Sequence, residues 1–228
     1  MKPDRLVPGL IFLTALACAL SGLNPTFYLD DSPETVTAGA TLGIQHPPGY
    51  PLYALLSRLF TLLPVASIPF RVNLLSAVLA SLFVALLYRF LRGYFRLPTI
   101  LAAVMALLFL SGRTAYTEAL GAKGGIYHLT ALFTLLIVIA LLARRFPLAI
   151  FLFGLSLGNH WMTMAAYAPG FLVLGWIVSR EKGFHLKGGL VFGAFALVGI
   201  SVYLYVPLRA VLNPDLNWGN PTTWSDFT

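Results

Sequence analysis

Long apolar runs separated by short polar connections dominate the chain. A membrane-spanning helix needs about 20 mostly apolar residues. Runs at Leu6–Leu23, Asn73–Phe90, Pro98–Gly112, Gly125–Ala143, Pro147–Gly158, Trp161–Val178 and Gly189–Leu208 therefore predict seven such helices. The fifth run is short. It either continues through Asn159 and His160 or forms a broken pair with the sixth. The first follows Lys2 and Arg5 and carries Ala15-Leu16-Ala17 and Ala17-Cys18-Ala19, a loose signal-peptide pattern. Because the remainder is equally apolar, it is read as an uncleaved helix. The expected fold class is an all-α polytopic membrane protein. A single transmembrane domain covers residues 1–228, and residues 24–72 form a long first extracytoplasmic loop.

Composition strengthens this reading. Of 228 residues, 58% are hydrophobic and 10% charged, with a mean hydropathy of +0.83. A soluble domain carries roughly a quarter charged residues, so a soluble enzyme, a disordered chain and a nucleic-acid binder are excluded. The net charge of +7 is dispersed and serves to set orientation. With the amino terminus cytoplasmic, that side receives Lys2, Arg5, Arg89, Arg92, Arg96, Arg144, Arg145, Arg180, Lys182 and Lys187, against Asp4 and Glu181. The outer side receives Arg58, Arg71, Arg113, Lys123 and Arg209, together with Asp30, Asp31, Glu34, Glu118, Asp215 and Asp226. Whatever needs carboxylates is expected on the outer face. Cys18 is the one cysteine, so no intramolecular disulfide or cysteine-cluster metal site can form. The chain stops at Thr228 within an outer loop and reads as a piece of something longer.

The first outer loop carries the densest chemistry. Asp30, Asp31 and Glu34 cluster where Ser32-Pro33-Glu34 opens a helix, with Pro33 predicted at its first position. An ordinary helix start with favourable acids is one reading. An acidic functional cluster is the other. His46-Pro47-Pro48-Gly49-Tyr50-Pro51 is a rigid turn, suited either to holding His46 in place or simply to reversing the chain. Along the amphipathic stretch Leu52 to Leu63, Tyr50, Tyr53, Ser57, Arg58 and Thr61 share one helical face with leucines opposite. This predicts an interfacial helix or a re-entrant one.

These blocks resemble a family of polytopic membrane proteins that includes a transmembrane protein O-mannosyltransferase. The matching residues are Asp31, Ser32 and Glu34; Leu42–Ile44; His46–Tyr53; and Arg71–Ala77. Weaker matches follow in order at Lys123–Leu129, Ser156–Trp161, Tyr203–Ala210 and Asn217–Pro221. The family is similar to the GT-C class of membrane glycosyltransferases, in which an acid of the first outer loop is catalytic. Family members are generally longer, so this chain resembles their amino-terminal membrane module. One departure is Gly125, where many members have a glutamate before the Ile126-Tyr127 position; Glu118 is the nearest acid.

The resemblance implies inverting transfer of a mannose-like sugar from a polyprenyl phosphate to a protein Ser/Thr hydroxyl or another extracytoplasmic acceptor. Asp31 is then the general base, with Glu34 and His46 assisting. Asp30, Tyr50, His128 and Trp161 are expected to contact substrate. Arg209, Lys123 and His160 are expected near the donor phosphate, Arg209 as a paired donor to its oxygens, with Arg113 a lesser candidate. Snorkelling is the alternative use of Arg209. Lys123-Gly124-Gly125 is a candidate backbone cradle. His160 faces a cavity if the fifth and sixth runs are a broken pair. Asp30, Asp31 and Glu34 offer oxygen ligands for a divalent cation, and metal use is left open. Trp161, Trp218 and Trp224 suit the membrane interface, with sugar stacking as a second use. A transporter and a non-catalytic subunit that binds lipid-linked sugar are the competing readings. The loop-poor layout points to a prokaryotic plasma membrane, with the endoplasmic reticulum as alternative.

Overall fold

The computed structural model describes residues 6–179 and 186–223. The expectations for Lys2, Asp4, Arg5, Arg180, Glu181, Lys182, Trp224 and Asp226, and for the side chain of Lys187, lie outside the described residues. The named elements are all helical: α1 (Val7–Gly22), α2 (Ser32–Thr41), α3 (Pro51–Thr61), α4 (Ile68–Gly93), α5 (Thr99–Ser111), α6 (Arg113–Ala119), α7 (Gly124–Leu142), α8 (Phe146–Ser179) and α9 (Leu186–Ile200). A 3-10 turn (Ser201–Leu204) leads into α10 (Tyr205–Val211). Extended pairing among the described residues is limited to an isolated parallel bridge between Ile44 and Asn217.

Among the described residues, the seven expected spans become four helices long and apolar enough to cross a membrane, or five with a bent pair. Ile68–Gly93 and Gly124–Leu142 stand where sequence put them. The run ending at Leu208 becomes Leu190–Val211. The fifth and sixth runs merge into the 34-residue α8, interrupted at His160, whose φ/ψ of −149°/79° is not helical. The third run supplies only the 13 residues of α5, after which the chain bends by 71° into α6. α1, at 16 residues, is apolar but shorter than a span.

Clustering divides the chain into two compact units: Met1–Ala40 with Leu56–Leu132, and Thr41–Leu55 with Phe133–Thr228. In the first, α1, α4, α5 and α6 pack together through small side chains. Ala15, Ala19, Ala77, Ala80, Ala102 and Ala106 are buried, whereas Leu10, Leu13, Ile100, Leu101 and Leu108 point outward. Small residues inside and large apolar ones outside is the arrangement of helices packing within lipid. With the apolar spans, it makes this a membrane protein.

Most of α2 and the second half of α3 also belong to the first unit. Val36 of α2 packs with Val72 and Ala122. A Cβ on Gly39 would stand 2.6 Å from the Ser57 Cβ, so α2 receives α3 at contact distance. The amphipathicity of α3 is clarified here. Its Tyr53, Ser57 and Thr61 are buried, and Leu55, Leu59 and Leu62 are exposed. The polar face is covered by protein, and the leucines form the outer surface.

In the second unit α8 and α9 cross closely. Gly154 and Gly199 meet there, and a Cβ on either would meet the other helix's backbone. Ile137, Ala140, Leu141, Ala149 and Met164 form the core beside them, flanked by Phe153 and Phe171.

Candidate active site

The acidic cluster is built from the start of α2. The main-chain N–H of Thr35 donates to the Asp31 carbonyl at 2.9 Å, which makes Asp31 the N-cap residue. The helix thus begins one residue earlier than expected. Pro33 takes the second position, and Glu34 the third, where the positive helix end favours a carboxylate. Ser32 is buried, and its hydroxyl accepts the Lys123 main-chain N–H at 3.3 Å.

Lys123 is the partner that α2 faces. Its ammonium lies 3.0 Å from Asp31 Oδ2, with the lysine side chain 9% exposed and the aspartate 48%. A buried ammonium thus anchors an accessible carboxylate at the start of α2. The Lys123 turn is itself fixed. The Ser76 hydroxyl donates to the Ala122 carbonyl at 3.3 Å, and Gly124 abuts the backbone of Glu118 so closely that any Cβ would overlap it. That approach accounts for the glycine. Glu118, on α6 beyond the 71° bend, has its carboxyl pKa raised by burial and secondarily by Asp30, with Lys123 opposing. Asn73 of α4 donates to the carbonyls of Asn24 and Thr26 at 2.9 and 2.8 Å, tying down the segment that leads to Asp30.

A second set of residues gathers in the other unit. The rings of His46 and Tyr50 meet edge-on at 5.6 Å, His46 and Trp218 at 6.4 Å, and Tyr50 and His160 at 5.7 Å. Tyr50 is buried and has φ +43°, while Trp218 is exposed. Gly49, at φ +83°, supplies the turn before Tyr50. His160 Nδ1 lies 3.4 Å from the Thr163 main-chain N and 3.1 Å from its hydroxyl. The ring that interrupts α8 therefore caps the continuation. With Nδ1 accepting, Nε2 carries the hydrogen.

The remaining expected site residues have other partners. Arg209 Nε donates to the Leu42 carbonyl at 2.7 Å and Nη2 to that of Thr41 at 3.1 Å. Arg58 Nη1 donates to the Ala40 carbonyl at 2.7 Å, and Arg71 donates to the carbonyls of Val65, Thr61 and Ala66. These three arginines thus serve as carbonyl clamps. His128 is buried with Nε2 3.1 Å from the Ala115 carbonyl. Arg113 is exposed at the start of α6, and Trp161 is exposed just past the α8 break. Sequence reasoning left Tyr205 without a role and missed Trp218 as a neighbour of His46. The only signal was their presence in the matching blocks.

Fold and site define the class first: a polytopic helical membrane protein with an ion-paired carboxylate at the start of a loop helix. The chain belongs to the family described as Protein O-mannosyl-transferase TMEM260 N-terminal domain, which matches residues 31–182. It is 31% identical over 217 residues to the mouse (Mus musculus) protein named Protein O-mannosyl-transferase TMEM260, covering 86% of this chain and 29% of that protein. The chain therefore spans less than a third of that relative. No solved structure matches significantly. The expectation of a prokaryotic membrane loses its basis, because the loop-poor layout occurs in a family with an animal member.

Proposed function

We propose that the chain is the amino-terminal membrane module of a GT-C-type glycosyltransferase that moves a mannose-like sugar from a polyprenyl phosphate to a protein hydroxyl. The Asp31–Lys123 pair carries this reading. The acceptor oxygen attacks the anomeric carbon and its proton passes to the Asp31 carboxylate. The bond from carbon to phosphate oxygen breaks, and polyprenyl phosphate leaves with the electron pair. A single displacement inverts the anomeric centre. Lys123 fixes the position of the Asp31 carboxylate. Glu34, one turn along α2, helps to orient the acceptor. The apolar outer surfaces of the spans accommodate the lipid tail. The name of the mouse relative supports protein as the acceptor class.

The test uses membranes containing the protein, a radiolabelled polyprenyl-phosphate mannose and a pool of Ser/Thr peptides. Label is expected on peptide and lost with Asp31→Asn. Unimpaired transfer by that variant rules Asp31 out as the base. The non-helical residue inside α8 also resembles the discontinuous helices of transporters. Movement of lipid-linked sugar without covalent transfer would favour that reading instead.

A further inference from the structure

Within the second unit, the segment Tyr205–Trp218 is bound to the strap Thr41–Ile44 by five hydrogen bonds. Arg209 donates Nε to the Leu42 carbonyl at 2.7 Å and Nη2 to the Thr41 carbonyl at 3.1 Å. The Tyr205 hydroxyl donates to the Gly43 carbonyl at 2.9 Å. The Ile44 N–H donates to the Leu216 carbonyl at 2.7 Å, and the Trp218 N–H to the Ile44 carbonyl at 3.2 Å. Four consecutive carbonyls are thereby taken. The strap also has no slack: a Cβ on Gly43 would lie 2.8 Å from both Cβ and O of Leu216. Leu42 is held at φ +53°, a region that non-glycine residues seldom adopt. Two residues beyond the strap comes His46, its ring edge-on to Trp218 of the same segment.

We infer that Arg209 and Tyr205 are positioning residues: they clasp the strap Thr41–Ile44 and through it fix the place of the His46 imidazole. A guanidinium is suited to this because its fork meets two carbonyls in one plane. A phosphate ligand would need the same nitrogens. The cluster of Ile44, Val206 and Ala210, with Tyr203 and Tyr205 against it, gives the clasp an apolar base. The kinetic part of this inference rests on the transferase reading; the structural part stands without it.

The experiment is hydrogen exchange with mass spectrometry on the detergent-solubilised protein, alongside sugar transfer from radiolabelled polyprenyl-phosphate mannose. The variants are Arg209→Ala, Arg209→Lys and Tyr205→Phe. Exchange at the Ile44 and Trp218 amides is expected to rise about tenfold or more in Arg209→Ala. Tyr205→Phe, which removes only a hydroxyl, should give a smaller rise, and Arg209→Lys should restore part of the protection. In the transfer assay, kcat should fall while the KM for donor stays within about twofold. Unchanged exchange with a raised donor KM would overturn the inference and make Arg209 a phosphate ligand. If the wild-type protein transfers nothing, the transferase reading fails, and the exchange result alone decides the clasp.

Discussion

The unequal burial of the Asp31–Lys123 pair predicts unequal consequences of breaking it from either side. Asp31→Asn leaves an ammonium that is 9% exposed facing a neutral amide, whereas Lys123→Met leaves a carboxylate that is already 48% exposed. At 3.0 Å the attraction is about 1.4 kcal/mol in a water-like surrounding and about 5 kcal/mol at an effective dielectric constant of about 20. The exposure of Asp31 places the pair toward the lower figure. A buried cation that loses this carboxylate costs about 2 kcal/mol here, below the cost for a fully buried pair. A half-hydrated carboxylate that loses this ammonium costs about 0.5 kcal/mol. For a chain of this length that is a fall in apparent Tm of about 4–8 °C for Asp31→Asn against about 1–2 °C for Lys123→Met. The assay is thermal unfolding in detergent at one scan rate. The double variant Asp31→Asn/Lys123→Met removes both charges and should melt above Asp31→Asn, yet transfer no sugar. That combination separates the chemistry of Asp31 from its part in folding. A Lys123→Met protein melting as low as Asp31→Asn, or a double variant melting lower still, would refute the reasoning.

Three further outcomes are expected. Gly124→Ala, whose new methyl overlaps the Glu118 backbone, should displace the Lys123 turn and cost about 2 kcal/mol or more, read as a lowered Tm together with reduced transfer. His160→Asn keeps a side-chain acceptor for the Thr163 N–H and should melt near wild type, while His160→Ala loses the cap and about 1 kcal/mol. Glu118 has a raised carboxyl pKa in the folded protein, so the folded state binds more protons than the unfolded one. Its contribution is present below the ordinary carboxylate pKa and is lost as pH rises through the folded value. Glu118→Gln should therefore flatten the decline in Tm with rising pH just above the carboxylate range.

Hydropathy made α7 legible almost to the residue and α4 in its place though eight residues too short, because a lipid-facing helix must be apolar along its length. The break in α8 was legible as well, since Asn159 and His160 interrupt an otherwise apolar run. The shortness of α5 was not. Gly112 ends that run, and the 71° turn into α6 depends on packing against α4. The acidic cluster stood out because acids are scarce elsewhere. Its ion pair did not, since Lys123 lies far along the chain from Asp31 and its glycine-rich setting suggested a phosphate cradle. Arg209 was legible as a cation, but its observed acceptors were not. Its acceptors are main-chain carbonyls, which no residue letter announces.

The seating of α3 against Gly39 has a consequence for biogenesis. A helix of 11 residues is about 16 Å long, roughly half the hydrocarbon thickness. Insertion machinery that selects spans by length and hydropathy has no reason to hand such a segment to the bilayer. Its polar face can be covered only after α2 offers the gap above Gly39 into which Ser57 settles. The expected order is therefore insertion of the spans first and docking of the segment that bears the acidic cluster afterwards. That docking depends on a side chain that Gly39 does not have.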